Sequence, residues 1–326
     1  MFKHLTILLS LVLFATGNLN GQQLPLYSQY TLNRFLINPA VAGTDGFTTV
    51  SLTAREQWIG FKGTPKTHSV TFDTKLLQDS YILKNISIRK KKRKSTRSGK
   101  VGIGGHIYND HNGPIDRTGL EGTYAYHLDL DKTLLSFGLS VNFFQMRLNT
   151  DKLVLSDLNP DDLISGGKQT LFIPDASIGV YALTKDYYAG ISAINVLRSS
   201  VQFGKNSAGN YRLNRQYNLM GGYRYEINRD FLLEPTILLK IPETMRAQLD
   251  IDVKLNIKRE YWAGLGFRTG SALTIFGGAK VDRYFIGYAF DYNFNRLMRF
   301  TYGSHEIMAA VKFGETARRY KWLNTY

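Results

Sequence analysis

The highest local density of charged side chains in the sequence is a cationic run within residues 89–100. Such a run can bind the phosphates of nucleic acid or the carboxylates of an acidic protein. No aromatic residue is interleaved to stack on bases, which disfavours nucleic acid. A solvated flexible loop and a docking site for an acidic partner both stay open. The candidate partner-binding residues are Arg89, Lys90, Lys91, Lys92, Arg93, Lys94 and Arg97, together with Arg318 and Arg319.

Residues suited to catalysis or metal binding are sparse and do not fall into productive spacings. None of the six histidines lies in a metal-binding spacing, and the chain has no cysteine to supply a thiolate or a disulfide. The stretch around Ser192 lacks the second glycine of a nucleophile elbow. Gly102 and Gly104 precede no helix that would present its N-terminus to a phosphate, so they are more typical of a curving sheet. We therefore predict no enzyme activity, no catalytic residue, no cofactor and no bound metal.

The first residues resemble a secretory signal peptide, which we place at residues 1–21. A single Lys precedes an apolar run of about eleven residues, too short for the roughly 20 that a membrane-spanning helix needs. Export separates the chain from nucleic acid. The formal net charge of +15 then indicates anionic membrane surfaces or acidic proteins as partners.

The sequence pattern predicts that the secondary-structure elements of this chain are β-strands. Ala247, Leu249, Ile251, Val253 and Leu255 alternate with polar residues, and this period of two is typical of a strand. With 30 Gly, 20 Tyr, 19 Phe and 8 Pro, the composition also favours an all-β chain. The predicted strands span residues 47–58, 67–75, 101–109, 117–128, 134–146, 174–183, 187–195, 216–226, 231–240, 246–257, 261–268, 272–280, 284–292 and 305–313.

Strand length and turn length favour a membrane barrel over a soluble sandwich. Strands of about nine to eleven residues suit a bilayer, whereas sandwich strands are usually nearer five or six. Tyr residues flank the apolar faces, and tight links alternate with long ones, as in outer-membrane barrels. We predict a transmembrane antiparallel β-barrel of about 14 strands in the bacterial outer membrane. Its parts are an irregular segment and possible plug at 22–46, a barrel at 47–313 and a basic periplasmic tail at 314–326.

Two stretches carry a family resemblance. One contains Gln29 and Tyr30 followed by the NPAVAG sequence of residues 38–43, and the other is REQWIGFKGTPKT at residues 55–67. Together they resemble the PorP/SprF family of the type IX secretion and gliding machinery of Bacteroidetes. The matching motif residues are Gln29, Tyr30, Asn38, Pro39, Ala40, Gly43, Arg55, Gln57, Trp58, Gly60, Gly63 and Pro65.

This resemblance implies an outer-membrane protein that delivers or anchors large secreted proteins, such as adhesins, that carry a C-terminal sorting domain. It also implies contact with periplasmic components of the secretion machine. The residues themselves leave a passive porin and a secreted soluble sandwich as alternatives. A porin would have an open lumen, and a sandwich would dissolve without detergent.

Overall fold

The computed structural model describes residues 25–60, 63–76, 100–149, 169–203, 209–294 and 300–314. Within these ranges the chain forms β-strands and two short 3-10 turns, Arg34–Leu36 and Pro39–Val41. No helix among the described residues is long and apolar enough to cross a membrane. The strands are β1 Thr48–Glu56, β2 Lys66–Leu76, β3 Val101–Asn112, β4 Ile115–Leu130, β5 Thr133–Leu148, β6 Gln169–Leu183, β7 Tyr187–Ile194, β8 Ser200–Phe203, β9 Gly209–Arg212, β10 Gln216–Tyr223, β11 Tyr225–Glu226, β12 Phe231–Pro242, β13 Gln248–Ile257, β14 Tyr261–Arg268, β15 Ala272–Val281, β16 Tyr284–Asn293 and β17 Ser304–Phe313.

The strands close into a barrel in which neighbours along the chain pair antiparallel. β11 continues β10 beyond Arg224, and both pair with β12. β8 and β9 form a separate hairpin in the link between β7 and β10, so the barrel itself has 14 strands. Closure comes from β17 pairing with β1, with Phe313 opposite Thr48. The predicted fold class and strand number are confirmed.

The barrel is polar inside and apolar outside, the reverse of a soluble protein. Along β13, Ile251 is 44 % exposed and Val253 is 42 % exposed, while Asp250 and Asp252 are 2 % and 4 % exposed. Soluble monomers rarely expose apolar patches larger than a few hundred Å², so an apolar band around a whole barrel indicates a lipid solvent. Lipid offers no hydrogen bonds to the backbone, and a closed barrel satisfies that constraint because no strand edge stays unpaired. The parity read from the sequence is therefore confirmed.

Exposed aromatic residues form two girdles on the outside of the barrel. One set lies near the tight turns, and the other lies near the opposite ends of the strands. Aromatic side chains favour the two bilayer interfaces, where an apolar ring and a polar edge each find a suitable environment. The first girdle includes Tyr187, Tyr223, Tyr225, Phe231, Tyr261, Tyr284 and Phe313, and the second includes Tyr217, Phe267, Tyr292 and Phe294.

The links differ in length between the two ends of the barrel. The tight links at residues 184–186, 227–230 and 258–260 lie at one end, which we call the short-turn rim. The other end is the long-link rim, where β5 ends and β6 begins, β7 ends and β10 begins, and β16 ends and β17 begins, each pair separated by a long stretch of sequence. The links named here follow the distribution expected from the sequence. Others depart from it, because the links at residues 113–114 and 269–271 are tight yet lie at the long-link rim, and β2 and β3, which are joined by residues 77–100, end and begin at the short-turn rim. β4, β5 and β6 have 16, 16 and 15 residues, more than the roughly 9 to 11 that span a bilayer, and they pair to their tips at the long-link rim.

Candidate functional site

Residues 25–46, which we call the lumen segment, lie inside the barrel. Near the long-link rim, the backbone N–H of Ser28 donates to Glu306 of β17 at 2.7 Å. Near the short-turn rim, Lys312 forms an ion pair of 2.9 Å with Asp45. The segment therefore runs down the lumen before β1 turns back towards the long-link rim. Leu26, Tyr27, Tyr30 and Phe35 are among its buried residues.

The best-bonded part of the lumen segment meets a cluster of charged side chains on β1, β16 and β17. Arg55 donates to Asp291 at 2.6 Å and to Glu306 at 3.2 Å, and all three side chains are almost fully buried. Burying such charges is costly unless they are paired and their remaining hydrogen-bonding capacity is used. We call Arg55, Asp291 and Glu306 the upper ion cluster.

The lumen segment supplies the hydrogen bonds that complete the upper ion cluster. The Ser28 hydroxyl donates to the Asp291 carboxylate at 2.8 Å and accepts from Arg55 at 2.8 Å. The Gln29 backbone N–H donates to Glu306 at 2.9 Å. The barrel wall and the lumen segment therefore depend on each other here, because neither satisfies its buried polar groups alone.

A second group of charges extends this cluster along the wall. Asp250 accepts from Arg268 at 3.1 Å and from Lys240 at 3.2 Å. Arg268 also donates to the backbone carbonyl of Tyr27 at 3.4 Å. The carbonyl of the lumen segment is thus held by a wall cation, just as its N–H groups are held by wall carboxylates.

Further down the lumen, Glu234 holds the segment by a separate ion cluster. It accepts from Arg34 of the lumen segment at 2.5 Å and from Lys254 of the neighbouring strand at 2.9 Å. The Arg34 guanidinium also lies over the Tyr188 ring, 3.9 Å from the centroid, which is a cation–π distance. The segment is therefore fastened by charged groups here as well as near both rims.

Two tyrosines of the lumen segment are enclosed by the wall. Tyr27 is 5 % exposed and Tyr30 is 2 % exposed. The hydroxyl of Tyr30 lies 3.5 Å from that of Thr236 on β12.

The NPAVAG motif forms a tight structure that rests on the wall. The Asn38 side chain accepts from the N–H of Ala40 at 2.9 Å and so caps the 3-10 turn that begins at Pro39. Its amide group donates to the backbone carbonyls of Val180 at 3.0 Å and Ile191 at 3.2 Å. One side chain thus both shapes the segment and attaches it to β6 and β7.

Glycines on the wall provide the space for this motif. A Cβ on Gly138 would lie 2.2 Å from the backbone nitrogen of Ala40, and a Cβ on Gly179 would lie 2.0 Å from the Asn38 side-chain oxygen. A Cβ on Gly102 would lie 2.0 Å from the carbonyl oxygen of Ala42. The sequence favoured curvature as the role of such glycines, whereas here they allow close backbone approach. Gly102, Gly138 and Gly179 are called the glycine bed.

The second motif, residues 55–67, runs from the lumen into the first link of the long-link rim. Gln57 is buried, and its N–H donates to the carbonyl of Pro65 across the link. Trp58 was expected to end the strand; β1 ends at Glu56, and Trp58 lies in the link with a left-handed φ of 51°. Gly60 and Gly63 also have positive φ, and Ile59 pairs through its backbone with Tyr302 and Gly303 of the last long link. This motif joins the first and last links.

The basic candidate residues lie elsewhere. Arg89, Lys90, Lys91, Lys92, Arg93, Lys94, Arg97, Arg318 and Arg319 fall outside the described residues. So do the signal peptide at 1–21 and most of the tail at 314–326. In the part of the chain that the structure describes, no group of three metal-ligating side chains comes together.

The closed antiparallel barrel, its apolar exterior, its aromatic girdles and its charged lumen define an integral outer-membrane protein. The sequence model of the type IX secretion system membrane protein PorP/SprF matches residues 19–311. The chain belongs to this family. Short turns of outer-membrane barrels usually face the periplasm, which predicts that the long-link rim faces the cell exterior.

Solved structures give distant matches, and no curated protein sequence matches the chain. The Acinetobacter baumannii outer-membrane protein Omp33 is 9 % identical, with a TM-score of 0.42, over 83 % of this chain and 99 % of that chain. The Pseudomonas putida toluene transporter TodX is 10 % identical, with a TM-score of 0.45, over 86 % and 92 %. A Pseudomonas aeruginosa FadL homologue is 9 % identical, with a TM-score of 0.45, over 90 % and 93 %.

Proposed function

We propose that the protein is a non-enzymatic docking protein of the type IX secretion machinery. It binds and anchors secreted surface proteins that carry C-terminal sorting domains, and its barrel does not conduct solutes. The observation that carries this proposal is the lumen segment, which is fastened at both rims and at Glu234 between them. A protein whose lumen holds such a segment acts through its surfaces, because the path for solutes is occupied.

Family membership supports the secretion role, and the occupied lumen argues against the alternative of a passive porin. A porin needs a continuous aqueous path, which barrels of 16 to 18 strands leave open. Here a smaller barrel has its lumen crossed by residues 25–46, and its wall charges are paired with that segment.

Deleting the gene is expected to release secreted surface proteins into the medium while the uptake of small solutes stays unchanged. Quantitative proteomics of medium and cell surface measures the release, and uptake of a labelled sugar measures permeability. Purified protein in planar bilayers is expected to show no steady conductance. Lost solute uptake with retained surface proteins, or open-channel currents from the purified chain, would favour the porin.

We further propose that the basic residues 89–97 face the periplasm and dock an acidic component of the secretion machine. β2 ends and β3 begins at the short-turn rim, which supports this location for the link between them. Arg318 and Arg319 follow β17, which ends at the same rim.

Deleting residues 89–97 is expected to reduce co-purification of periplasmic partners by about tenfold, since each lost charge pair weakens a screened contact modestly and several act together. Co-purification from detergent, quantified by mass spectrometry, measures the effect. A second variant replaces residues 89–97 by a Gly/Ser segment of equal length, which removes the charges but keeps the length of the link, and it is expected to lose the partners to the same degree. Unchanged partner recovery in both variants would end the docking proposal.

A further inference from the structure

A cavity opens at the long-link rim above the lumen segment. Its volume is about 170 Å³, and its floor is made by residues 25–27 and 35–39 of that segment. Its walls come from the outer halves of β3, β4 and β5 on one side and from the link between β12 and β13 on the other. The lumen segment lies between the cavity and the short-turn rim, so we infer that a ligand enters from the long-link rim. We call it the mouth cavity.

The mouth cavity has an apolar interior. Leu26, Phe35 and Ile37 contribute from the lumen segment, and Phe144 and Leu213 contribute from the wall and the outer link. Phe144 and Leu213 also belong to one buried hydrophobic cluster with Tyr108, Met146 and Ile173, so this wall is firmly packed. An apolar side chain from a ligand gains free energy by leaving water here, about 25 cal/mol for each Å² buried.

The rim of the mouth cavity carries an excess of arginine. Arg198 and Arg215 share one carboxylate, that of Glu243, at 3.1 Å and 3.6 Å. Arg246 lines the cavity, is exposed, and has no ion pair among the described residues. Arg198, Arg215 and Glu243 do not line the cavity themselves, but they lie close in sequence to the lining residues 195, 214 and 242. The lining adds one carboxylate, Glu121, and two further cations, Arg117 and Lys240, so cations outnumber carboxylates around the opening. We call Arg198, Arg215 and Arg246 the arginine rim.

Two polar atoms on the opposite wall also have unused hydrogen-bonding capacity. His106 Nε2 and Asn142 Oδ1 are buried and have no partner within the described part of the chain, and both residues line the cavity. Buried polar atoms are seldom left unpaired, and a bound ligand is one explanation for such atoms. The cavity thus combines an apolar interior, unused wall polar groups and a cationic rim.

We propose that the mouth cavity binds an extended acidic peptide segment of a secreted protein. An apolar side chain of the peptide enters the cavity, and neighbouring carboxylates pair with the arginine rim, since guanidinium forms bidentate hydrogen bonds with carboxylates. The inference rests on the docking function proposed above and gives it a location. A lipid phosphate fits the charge, but the cavity lies inside the barrel wall and not on the face that touches the bilayer.

The test uses the absence of cysteine from the chain. A single Met245→Cys substitution in the cavity lining places an environment-sensitive fluorophore on the full chain in detergent. The probes are synthetic pentapeptides with a central Phe flanked by Glu, by Gln or by Lys, and a Glu-flanked peptide with central Ser. Saturable binding is expected for the Glu-flanked Phe peptide, with at least tenfold weaker binding for each of the others.

Three further variants fix the role of the rim. The double variant Arg198→Gln, Arg246→Gln is expected to weaken peptide binding by about tenfold or more, because charge-assisted hydrogen bonds are lost. Glu243→Gln is expected to strengthen it, because the competing carboxylate is removed. Arg229→Gln, in a tight turn at the opposite rim, is the matched control and leaves binding unchanged.

Equal binding of all four peptides, or an unchanged affinity in the double variant, would overturn the inference. So would saturable binding of lipopolysaccharide micelles that the double variant abolishes and the peptides do not displace. The docking function has its own readout, retention of secreted proteins on cells. If gene deletion releases them but the double variant retains them fully, only the mouth cavity is excluded.

Discussion

Replacing Arg55 with methionine is expected to lower the free energy of unfolding by about 3–5 kcal/mol, because it removes the cation that lies between two buried carboxylates. Asp291 and Glu306 would lose their guanidinium donor, and the Ser28 hydroxyl would lose one of its bonds. The change removes no lipid contact, since Arg55 lies in the lumen. Urea titration of the protein in lipid vesicles, followed by tryptophan fluorescence, measures the loss.

Companion variants separate charge from packing. Adding Asp291→Asn and Glu306→Gln to Arg55→Met is expected to recover part of the lost stability, because no unpaired charge then stays buried. Arg55→Lys is expected to fall between, since lysine keeps the charge but loses the bidentate geometry. Arg229→Met in an exposed turn is the matched control. Equal stability of Arg55→Met and Arg229→Met would show that the upper ion cluster does not hold the structure together.

The barrel could be predicted from the sequence because its signal is local. A period of two assigns each residue of a strand to one face, and a one-residue shift would move Asp250 and Asp252 into lipid. Tight turns such as residues 258–260 then fix the antiparallel order. Once fourteen such strands follow one another in antiparallel order, pairing of the last strand with the first completes the barrel.

The pairing of charges inside the barrel could not be predicted in the same way. Arg55 meets Asp291 and Glu306 across 236 and 251 residues of sequence. That contact depends on the register in which β17 closes against β1, where Arg55 lies opposite Glu306, and on the register of β16 against β17. No turn joins β17 to β1, so no local sequence signal fixes the closing register. Asp291 lies between the apolar residues Phe290 and Tyr292, and this alternation is a local signal for a lumen position of its side chain.

No repeating pattern in the sequence predicts the path of the lumen segment either. Asn38 and Pro39 indicate a turn, but turn chemistry does not say which surface the turn rests on. The surface on which this turn rests is the glycine bed. Gly102, Gly138 and Gly179 are spread over β3, β5 and β6, and they become one surface only when these strands pair.

Replacing Gly138 with valine is expected to displace residues 38–42 from the wall and to open a conducting path through the barrel. The new side chain would place its Cβ 2.2 Å from the backbone nitrogen of Ala40, and backbone on both sides leaves no flexible group to yield. Valine suits a strand, so the barrel itself is expected to persist. Planar-bilayer recordings of the purified variant measure the conductance.

Gly122→Val is the matched control for Gly138→Val, because Gly122 lies on the neighbouring β4 and a Cβ there would meet no atom within 4 Å. It is expected to stay as silent as the unmodified chain. Gly138→Ala adds only the clashing Cβ and tests the same contact if the valine variant assembles poorly. Overpacking of this kind costs about 1–3 kcal/mol. Moving residues 38–42 away from the wall relieves it, because the ion clusters fasten the lumen segment only above and below the glycine bed. Silent recordings from both Gly138 variants, with unfolding midpoints equal to that of Gly122→Val, would mean that the glycine bed does not hold the segment in place.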